Sequence, residues 1–335
     1  MEPPADDVAA YSATAGLPFD DEELESRLVW IWGSPRSGST WLLRLLSHPL
    51  TLDDRAPLGF HQPHGFRGRV DLLPVNESFL TNHLAPLAQG ALYTESWEPF
   101  TLSVLFDLDS RPNCFFSPQY ADVWRPEVRR LTLVRFHAFI ERAAKGCNLA
   151  SSPLVAVKEV NGPHAADLMM SMCRRSKLVF LVRDGRDVVD SLIHATGPGG
   201  FFFNGRGAYE GPEERLELVR RHSNVWVGDM KTIQRAYDAH PPQLRRRISY
   251  EELREDPAPT LGPLVEWMGL RNDARWLEDA IESNSFERVP QRAQGPTRFF
   301  RSAKPGAWKE NLTEEERRLA EEIMGEELAE LGYAI

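Results

Sequence analysis

Chemistry-bearing residues are concentrated in the stretch GSPRSGST, residues 33–40, directly after a short apolar run. The stretch fits the phosphate-binding pattern G-x-x-x-x-G-K-[ST] at every position except the lysine, where Ser39 stands. Backbone amides of residues 36–41 at the start of a helix favour an anion, because the helix dipole places partial positive charge there. Arg36 adds a full charge and a two-pronged donor. The stretch therefore predicts an anion site that works without the usual lysine.

A second group of candidates lies in RDGRDVVDS, residues 183–191. Arg183 ends a predicted strand, and Ser191 follows about two helical turns later. In doubly wound sheets ligands collect at the carboxyl ends of strands, so both residues are predicted to lie beside the first loop. A capping and salt-bridge set made by Arg183, Arg186 and Asp187 is the alternative interpretation.

A third candidate lies near the carboxyl terminus, in RFFRSAKPGAWKENLT, residues 298–313. It is a basic segment in an acidic chain, which indicates contact with an anion. A solvated charged loop explains the same residues equally well, so the segment carries weight only together with the other two. Its cationic residues are Arg298, Arg301, Lys304 and Lys309, and Gly306 lies among them.

The elements around these motifs follow a strand and helix alternation. RLVWIW ends at the first loop and leucines at helical spacing follow it, while PLVAVKEV and SKLVFLV are typical of buried parallel strands. Such alternation predicts an α/β fold with a P-loop-like central parallel β-sheet flanked by helices. The helices are predicted at 40–47, 163–175, 186–195, 214–239, 258–269 and 313–332, with RRRISY as a last strand.

The 335 residues, 42% of them hydrophobic, are enough for one large domain. Residues 1–26 are rich in Pro, Asp, Glu and Ala and are predicted to form a flexible arm. Residues 27–335 are predicted to form a single domain. Residues 50–150 have no clean period and many aromatics, which indicates an irregular acceptor-binding lobe inserted in that domain.

The formal net charge of -10 argues against binding nucleic acid or an anionic membrane. No apolar stretch approaches the ~20 residues of a membrane span, and the amino terminus lacks a basic start before an apolar run. A soluble, cytoplasmic protein is expected. His61, His64, His164 and His194 form no metal-ligand pattern, so no metal is expected.

Taken in order along the chain, these motifs resemble the sulfotransferases that use 3′-phosphoadenosine-5′-phosphosulfate (PAPS), in the soluble bacterial form with an arginine in the 5′-phosphosulfate loop. VFLVRDGRDVVDS is similar to their 3′-phosphate motif, and SYEELREDPAPTLGPLVEWMGL to the stretch after their last sheet strand. RSAKPGAWKENLT is similar to their R-K-G-x-x-G-x-W-K-x-x-[FL]-T segment, although Ser302 and Ala303 replace the family's Lys-Gly.

The resemblance implies PAPS as donor and its desulfated product PAP, adenosine 3′,5′-bisphosphate. It assigns the 3′-phosphate to Arg183, Ser191 and Arg301, and the adenine face to Trp41. A sulfuryl group carries less negative charge than a phosphoryl group, so amides, hydroxyls and one or two cations can hold it without metal. The full predicted donor-binding set is Arg36, Ser37, Gly38, Ser39, Thr40, Trp41, Arg183, Ser191, Arg301 and Gly306.

Transfer requires a cation where charge develops on the leaving phosphate and a base for the acceptor hydroxyl. The resemblance implies Arg36 as the first candidate for the cation, and Lys158 is the second because VAVKEV ends a strand that faces the same cleft. The candidate bases are Glu77, then His83, then Glu159. Each also has an ordinary structural interpretation: a helix cap for Glu77, a core histidine for His83 and an ion pair with Lys158 for Glu159.

The sequence therefore favours sulfuryl transfer from PAPS to a hydroxyl, with an amine as the second choice, on a small metabolite, lipid-like intermediate or natural product. The aromatic residues at 93–124 and the loop at 197–207, with three phenylalanines between glycines, are expected to shape the acceptor pocket. That loop is a candidate lid, and core packing of its rings is the alternative. The rival functions are a divergent P-loop kinase using ATP and Mg²⁺, and a non-catalytic nucleotide-binding protein.

Overall fold

The computed structural model describes residues 20–50, 56–57, 67–76, 120–146, 150, 152–202, 207–295, 298, 300–301 and 303–335. Five strands form the predicted parallel sheet, in the order β4-β5-β1-β6-β7, and β2 and β3 form a separate antiparallel pair. The strands are β1 Leu28–Trp32, β2 Ala56–Pro57, β3 Arg67–Gly68, β4 Leu72–Asn76, β5 Leu154–Glu159, β6 Lys177–Val182 and β7 Arg245–Ser249.

Helices cover both faces of the sheet, as right-handed crossovers between parallel strands require. The predicted helical segments are present, and most of their ends lie within two residues of the predicted positions. The described helices are α1 Asp21–Arg27, α2 Ser39–Leu46, α3 Ala121–Gly146, α4 Ala166–Met172, α5 Gly185–Thr196, α6 Pro212–Ala239, α7 Tyr250–Glu255, α8 Pro257–Met268, α9 Ala274–Ser283, α10 Trp308–Asn311 and α11 Glu314–Glu330.

The central strand β1 supplies both hydrophobic cores, because successive side chains of a strand point to opposite faces. Trp30 and Trp32 lie in the core shared with α3, α4, α5, α6 and α11. Val29 and Ile31 lie in the core shared with α2, α8 and α9. All five residues of β1 are buried, so the loop that follows it starts from a fixed point.

The register places three candidate segments side by side at one edge of the sheet. Trp32 of β1 pairs with Glu159 of β5 on one side and with Phe180 of β6 on the other. The carboxyl ends of β5, β1 and β6 therefore lead into Lys158, the first loop and Arg183 at neighbouring positions. This is the arrangement that the alternation of strands and helices predicts.

Two predicted boundaries need correction. The arm predicted for residues 1–26 ends earlier, because α1 begins at Asp21 and its Leu24 is fully buried. The lobe predicted for residues 50–150 is not irregular throughout, since β4 belongs to the central sheet and α3 is a helix of 26 residues. Trp124, Leu133, Phe136 and Ile140 anchor α3 in the first core.

Candidate functional site

The loop between β1 and α2 is a tight turn held by two glycines. A Cβ atom at Gly33 would lie 2.7 Å from the carbonyl oxygen of Leu181, so only glycine allows this approach to β6. Gly38 has φ +91°, and a Cβ atom there would lie 2.4 Å from the Tyr250 ring. Arg36 also has a positive φ, 69°. The loop thus keeps a backbone path that favours glycine and is strained for other residues.

Part of the predicted cradle is used to build the loop. The Ser37 amide donates to the Ser34 carbonyl at 3.2 Å, and the Trp41 amide donates to the Gly38 carbonyl at 2.9 Å. The Ser37 side chain is fully buried and does not line the cavity described below. Of the amides predicted to bind the anion, at residues 36–41, those of Ser37 and Trp41 are used inside the loop and helix. The amides of Ser39 and Thr40 are in the first turn of α2 and have no partner inside the helix.

A cavity of about 430 Å³ opens at the carboxyl ends of the strands. It is lined from α2 and the loop before it, from β5, from the loop and helix after β6, and from the carboxyl-terminal basic segment. Nine of the predicted site residues line it: Arg36, Gly38, Ser39, Thr40, Trp41, Lys158, Arg183, Ser191 and Arg301.

Lys158 lies at one end of this cavity, at the start of α2. Its Nζ donates to Thr40 Oγ1 at 3.0 Å, which joins β5 to the first turn of that helix. Glu159, the next residue, is fully buried and does not line the cavity, because adjacent strand residues alternate between faces. The interpretation of Glu159 as a base facing the acceptor is therefore not supported by its position.

Arg36 lies among the residues predicted for the 3′-phosphate. Its Nε donates to Ser191 Oγ at 3.0 Å, and its guanidinium lies 5.4 Å from the centre of the Phe201 ring. Burial, and then the positive charges of Arg183 and Arg301, lower the pKa of Arg36 to about 10. The side chain remains protonated at neutral pH, in surroundings that would gain from an added negative charge.

Arg183 connects the loop after β6 to the loop after β1. Its Nη1 donates to the Arg36 carbonyl at 2.8 Å, and its guanidinium lies 4.3 Å from the centre of the Tyr250 ring. Asp187 lies 4.0 Å from its Nη2. The predicted proximity of the two loops is thus present as a direct hydrogen bond, and the ion-pair interpretation of this motif also holds in part.

Two carboxylates of α5 hold the carboxyl-terminal segment in place. Asp187 accepts hydrogen bonds from the amides of Gly306 at 2.7 Å and Trp308 at 3.1 Å. Burial raises the pKa of Asp187, although Arg183 and these two amides oppose the shift. Asp190 binds the Arg301 guanidinium. Gly306, with φ +75°, does not line the cavity and serves this attachment, and its contact with the donor stays a prediction.

Arg186, in the same RDGRD motif, contacts carboxylates of the protein and does not face the cavity. Its Nη2 donates to Asp184 Oδ2 at 2.9 Å, its Nη1 donates to Glu321 Oε1 at 3.1 Å, and it lies 4.1 Å from the centre of the Trp308 ring. Burial opposes the charge, but these two carboxylates raise the pKa of Arg186 overall. It does not line the cavity.

Aromatic rings form another part of the wall. Trp41 and Tyr250 meet edge to face, with ring centres 6.0 Å apart, and Trp41 Nε1 donates to the Asn284 carbonyl at 2.9 Å. Several further lining residues have no role assigned from the sequence. Tyr250 and Arg254 are in the SYEELRED stretch, which the sequence marks only as a landmark. Arg44 is on α2 just after the first motif, and Asn284 and Phe286 come from a distant part of the chain.

The two favoured base candidates, Glu77 and His83, lie outside the described residues. Among the described residues that line the cavity, none is a carboxylate or an imidazole. The backbone of Asn76, the last residue of β4, pairs with that of Lys158. Glu77 is the next residue along the chain.

No group of three or more His, Cys, Asp or Glu side chains in the described ranges is arranged to hold a metal ion. None of the described helices is both long and apolar enough to cross a bilayer.

Comparison with known proteins gives one family and a set of distant structures. The sulfotransferase domain model matches residues 26–332. Mouse sulfotransferase SULT7A1 complexed with PAP is 14% identical and covers 90% of this chain and 82% of its own, with a TM-score of 0.48. Sulfotransferase STF9 from Mycobacterium avium is also 14% identical and covers 92% and 78%, with a TM-score of 0.49. No curated protein sequence matches the chain.

Proposed function

The chain belongs to the sulfotransferase family, whose domain model matches residues 26–332, and we propose that it transfers the sulfuryl group of PAPS to a small-molecule acceptor. The acceptor group is a hydroxyl, with an amine as the second choice. The observation that carries the proposal is the meeting of Arg36, Arg183 and Arg301 in one cavity with Lys158.

The residues present fit an anionic nucleotide. The lowered pKa of Arg36 has its cause in burial and in repulsion by two further arginines, and bound anions would relieve that repulsion. Gly38 lets the Tyr250 ring pack against the start of α2, where the first-turn amides of Ser39 and Thr40 lie. The aromatic wall at Trp41 and Tyr250 suits a base, because purine rings stack on such side chains. Charge, backbone and ring surface therefore suit different parts of PAPS.

The donor-binding residues divide into two groups. Ser39, Thr40 and their amides, with Lys158, would hold the 5′-phosphosulfate, since they surround the start of α2. Arg183, Ser191 and Arg301 would hold the 3′-phosphate. When bound, PAPS supplies an activated sulfuryl group, and its transfer releases PAP.

Positive charge is needed where the phosphate oxygen is released, and two residues can supply it. Lys158 donates a hydrogen bond to Thr40, in the group of residues proposed for the 5′-phosphosulfate. The Arg36 guanidinium donates to Ser191, in the group proposed for the 3′-phosphate. We assign Arg36 and Lys158 jointly to stabilising the developing charge, the usual task of cations in such transfers. The Arg36 contact with Ser191 would have to loosen for the guanidinium to act at the 5′ end.

The base would take the proton of the acceptor hydroxyl while the new sulfur–oxygen bond forms. Glu77 is the first candidate and His83 the second. The register supports Glu77, since Asn76 pairs with Lys158 and Glu77 follows directly. Residue 160, which lines the cavity next to the strand that carries Lys158, is a valine and cannot take a proton.

The acceptor class is inferred from the apolar residues of the cavity wall. Val160 and Phe202 are two of them, and Phe202 belongs to the glycine-flanked loop predicted as a lid. Apolar walls of this kind favour a lipid-like or natural-product acceptor over a polysaccharide or protein chain.

Isothermal calorimetry with the full chain tests the donor. PAP should bind in the absence of metal, and ATP with Mg²⁺ should bind more weakly. Preference for ATP with Mg²⁺ would move the chain toward phosphoryl transfer. A second measurement incubates the protein with PAPS and a panel of phenols and apolar alcohols. PAP binding without transfer to any acceptor would favour a non-catalytic nucleotide-binding protein.

A further inference from the structure

The Asp190 carboxylate lies immediately behind the predicted 3′-phosphate site, one residue before Ser191. It is fully buried and does not line the cavity, so it does not contact a ligand there. Its Oδ1 accepts from Arg301 Nη1 at 3.1 Å, and its Oδ2 accepts from Arg301 Nη2. Asn311 Nδ2 also donates to Oδ2, at 3.1 Å.

This pairing fixes which edge of Arg301 is presented to the cavity. The Nη1 and Nη2 atoms both donate to Asp190, and Nη1 also lies 3.1 Å from His194 Nδ1. A guanidinium has five N–H donors in a rigid plane, so the edge formed by Nε and Nη2 still has N–H groups to give. That edge suits two oxygens of a phosphate, in the parallel geometry that arginine favours.

The pairing also moderates the charge of the site. Arg36 is already disfavoured by the positive charges of Arg183 and Arg301, as the lowered pKa of Arg36 indicates. An ionised carboxylate at Arg301 offsets one of these charges. Burial opposes ionisation of Asp190, but hydrogen bonds from His194, Arg301 and Asn311 lower its pKa overall. Without the carboxylate, repulsion would drive Arg301 away from its two neighbours and toward solvent.

Attachment of the carboxyl-terminal segment does not by itself require Asp190. Asp187, one turn earlier on α5, already holds the backbone of that segment through the amides of Gly306 and Trp308. Asp187 acts on the backbone, whereas Asp190 acts on the head group of Arg301. The two carboxylates thus have separable tasks.

We infer that Asp190 is a positioning residue: it orients Arg301 and thereby sets the preference of the cavity for a 3′-phosphate over a 3′-hydroxyl. The inference rests on the proposed function, because it takes PAP as the bound product. It adds a determinant of donor specificity that lies outside the cavity wall.

The test compares two nucleotides that differ only at the 3′ position, PAP and adenosine 5′-monophosphate, by calorimetry on the full chain. Asp190→Asn keeps the shape of the side chain but removes its negative charge and replaces one of the two acceptors for Arg301 with an NH₂ donor. The ratio of the two dissociation constants should fall about tenfold through weaker PAP binding, with monophosphate binding unchanged. The matched control is Asn311→Ala, which removes a different donor from the same carboxylate and should keep the ratio.

A double-mutant cycle shows whether Asp190 acts through Arg301. In an Arg301→Leu background, Asp190→Asn should cause no further fall in the ratio. A further fall of similar size would overturn the inference, as would an unchanged or increased ratio in the single variant. If Asp190→Asn does not fold, Asp190→Glu gives the same readout, since it keeps the charge but shifts the carboxylate, and an unchanged ratio again overturns it. Wild-type protein that binds no PAP would instead refute the proposed function.

Discussion

The segments after β1 and after β6 both follow a buried parallel strand and both carry arginine. Their surroundings, however, shift the arginine pKa in opposite directions. In the first loop, burial and neighbouring arginines disfavour the charge of Arg36 and lower its pKa to about 10. In the second, Asp184 and Glu321 favour the charge of Arg186 and raise its pKa against the effect of burial. Arg36 of the first loop lines the cavity, whereas Arg186 packs against the Trp308 ring and does not line it.

The difference distinguishes arginines that are available to bind a ligand from arginines that stabilise the fold. A cation whose charge is disfavoured by burial and by neighbouring cations is stabilised when an anion binds beside it. Such perturbed groups are common at functional sites. A cation enclosed by carboxylates stabilises the fold and holds other groups in position. The RDGRD motif does both, since Arg183 faces the cavity while Arg186 and Asp187 fix the helix and the carboxyl-terminal segment.

The largest expected effect tests the binding side of this comparison. Arg36→Ala should abolish transfer, since loss of a cation that stabilises the transition state costs on the order of 10³–10⁵ in rate in phosphoryl transfer. The midpoint of thermal unfolding of the Arg36→Ala variant should not fall below that of the wild type, because burial and two neighbouring arginines disfavour the charge of Arg36 in the folded protein. Initial rates with PAPS and thermal unfolding measure the two. A clear loss of stability would place Arg36 with the structural arginines.

The next effect concerns the proposed base, Glu77. Glu77→Gln should lower the turnover number by ~10²–10⁴-fold and keep PAP affinity, because it removes a proton acceptor without touching the donor site. Single-turnover rates and calorimetry separate these quantities. Near-normal turnover would transfer the role to His83, and His83→Gln is the paired variant.

On the construction side, Arg186→Ala should lower the free energy of unfolding by about 3 kcal/mol, because it leaves the carboxylate of Asp184 without its buried partner. Urea titration measures this value. PAP affinity of the folded protein should change much less than in the cavity variants. Arg220→Ala, which removes an exposed arginine paired with Glu217, is the control and should change stability by less than about 1 kcal/mol.

The smallest effect is expected for Arg183, which belongs to both sides. Arg183→Ala should weaken PAP binding about tenfold, since one charge-assisted contact is lost. Some loosening of the first loop is also expected, because Arg183 donates to the Arg36 carbonyl. Calorimetry provides the affinity, and an unchanged value would contradict the placement of Arg183 at the 3′-phosphate.

Sequence reasoning predicted the parts of the fold that repeat a simple period. The strands before Gly33 and Arg183 are continuous apolar runs, and the long helix predicted at 214–239 is Pro212–Ala239. Helix α3 was missed because its buried residues, such as Trp124 and Phe136, alternate with many charged residues inside a region without an overall period. Tertiary packing on the sheet, rather than local pattern, selects its helical form.

The site was predictable where motif residues themselves face the cavity, as Arg36, Lys158, Arg183 and Ser191 do. It was not predictable where packing decides the direction of a side chain. Glu159 and Lys158 are neighbours in sequence, yet the pleat of β5 turns them to opposite faces. Tyr250 and Asn284 reach the wall from distant parts of the chain, and no spacing in the sequence reveals that approach.

The central position of β1 has a consequence for biosynthesis. Its neighbours β5 and β6 lie more than 120 residues later in the chain, so β1 cannot acquire both partners until residue 182 has left the ribosome. At about 5–20 residues per second, this delay is roughly 8–30 s. Until residue 159 has been made, RLVWIW lacks both neighbouring strands, and until residue 182 it lacks one of them, so this apolar segment is open to aggregation during synthesis.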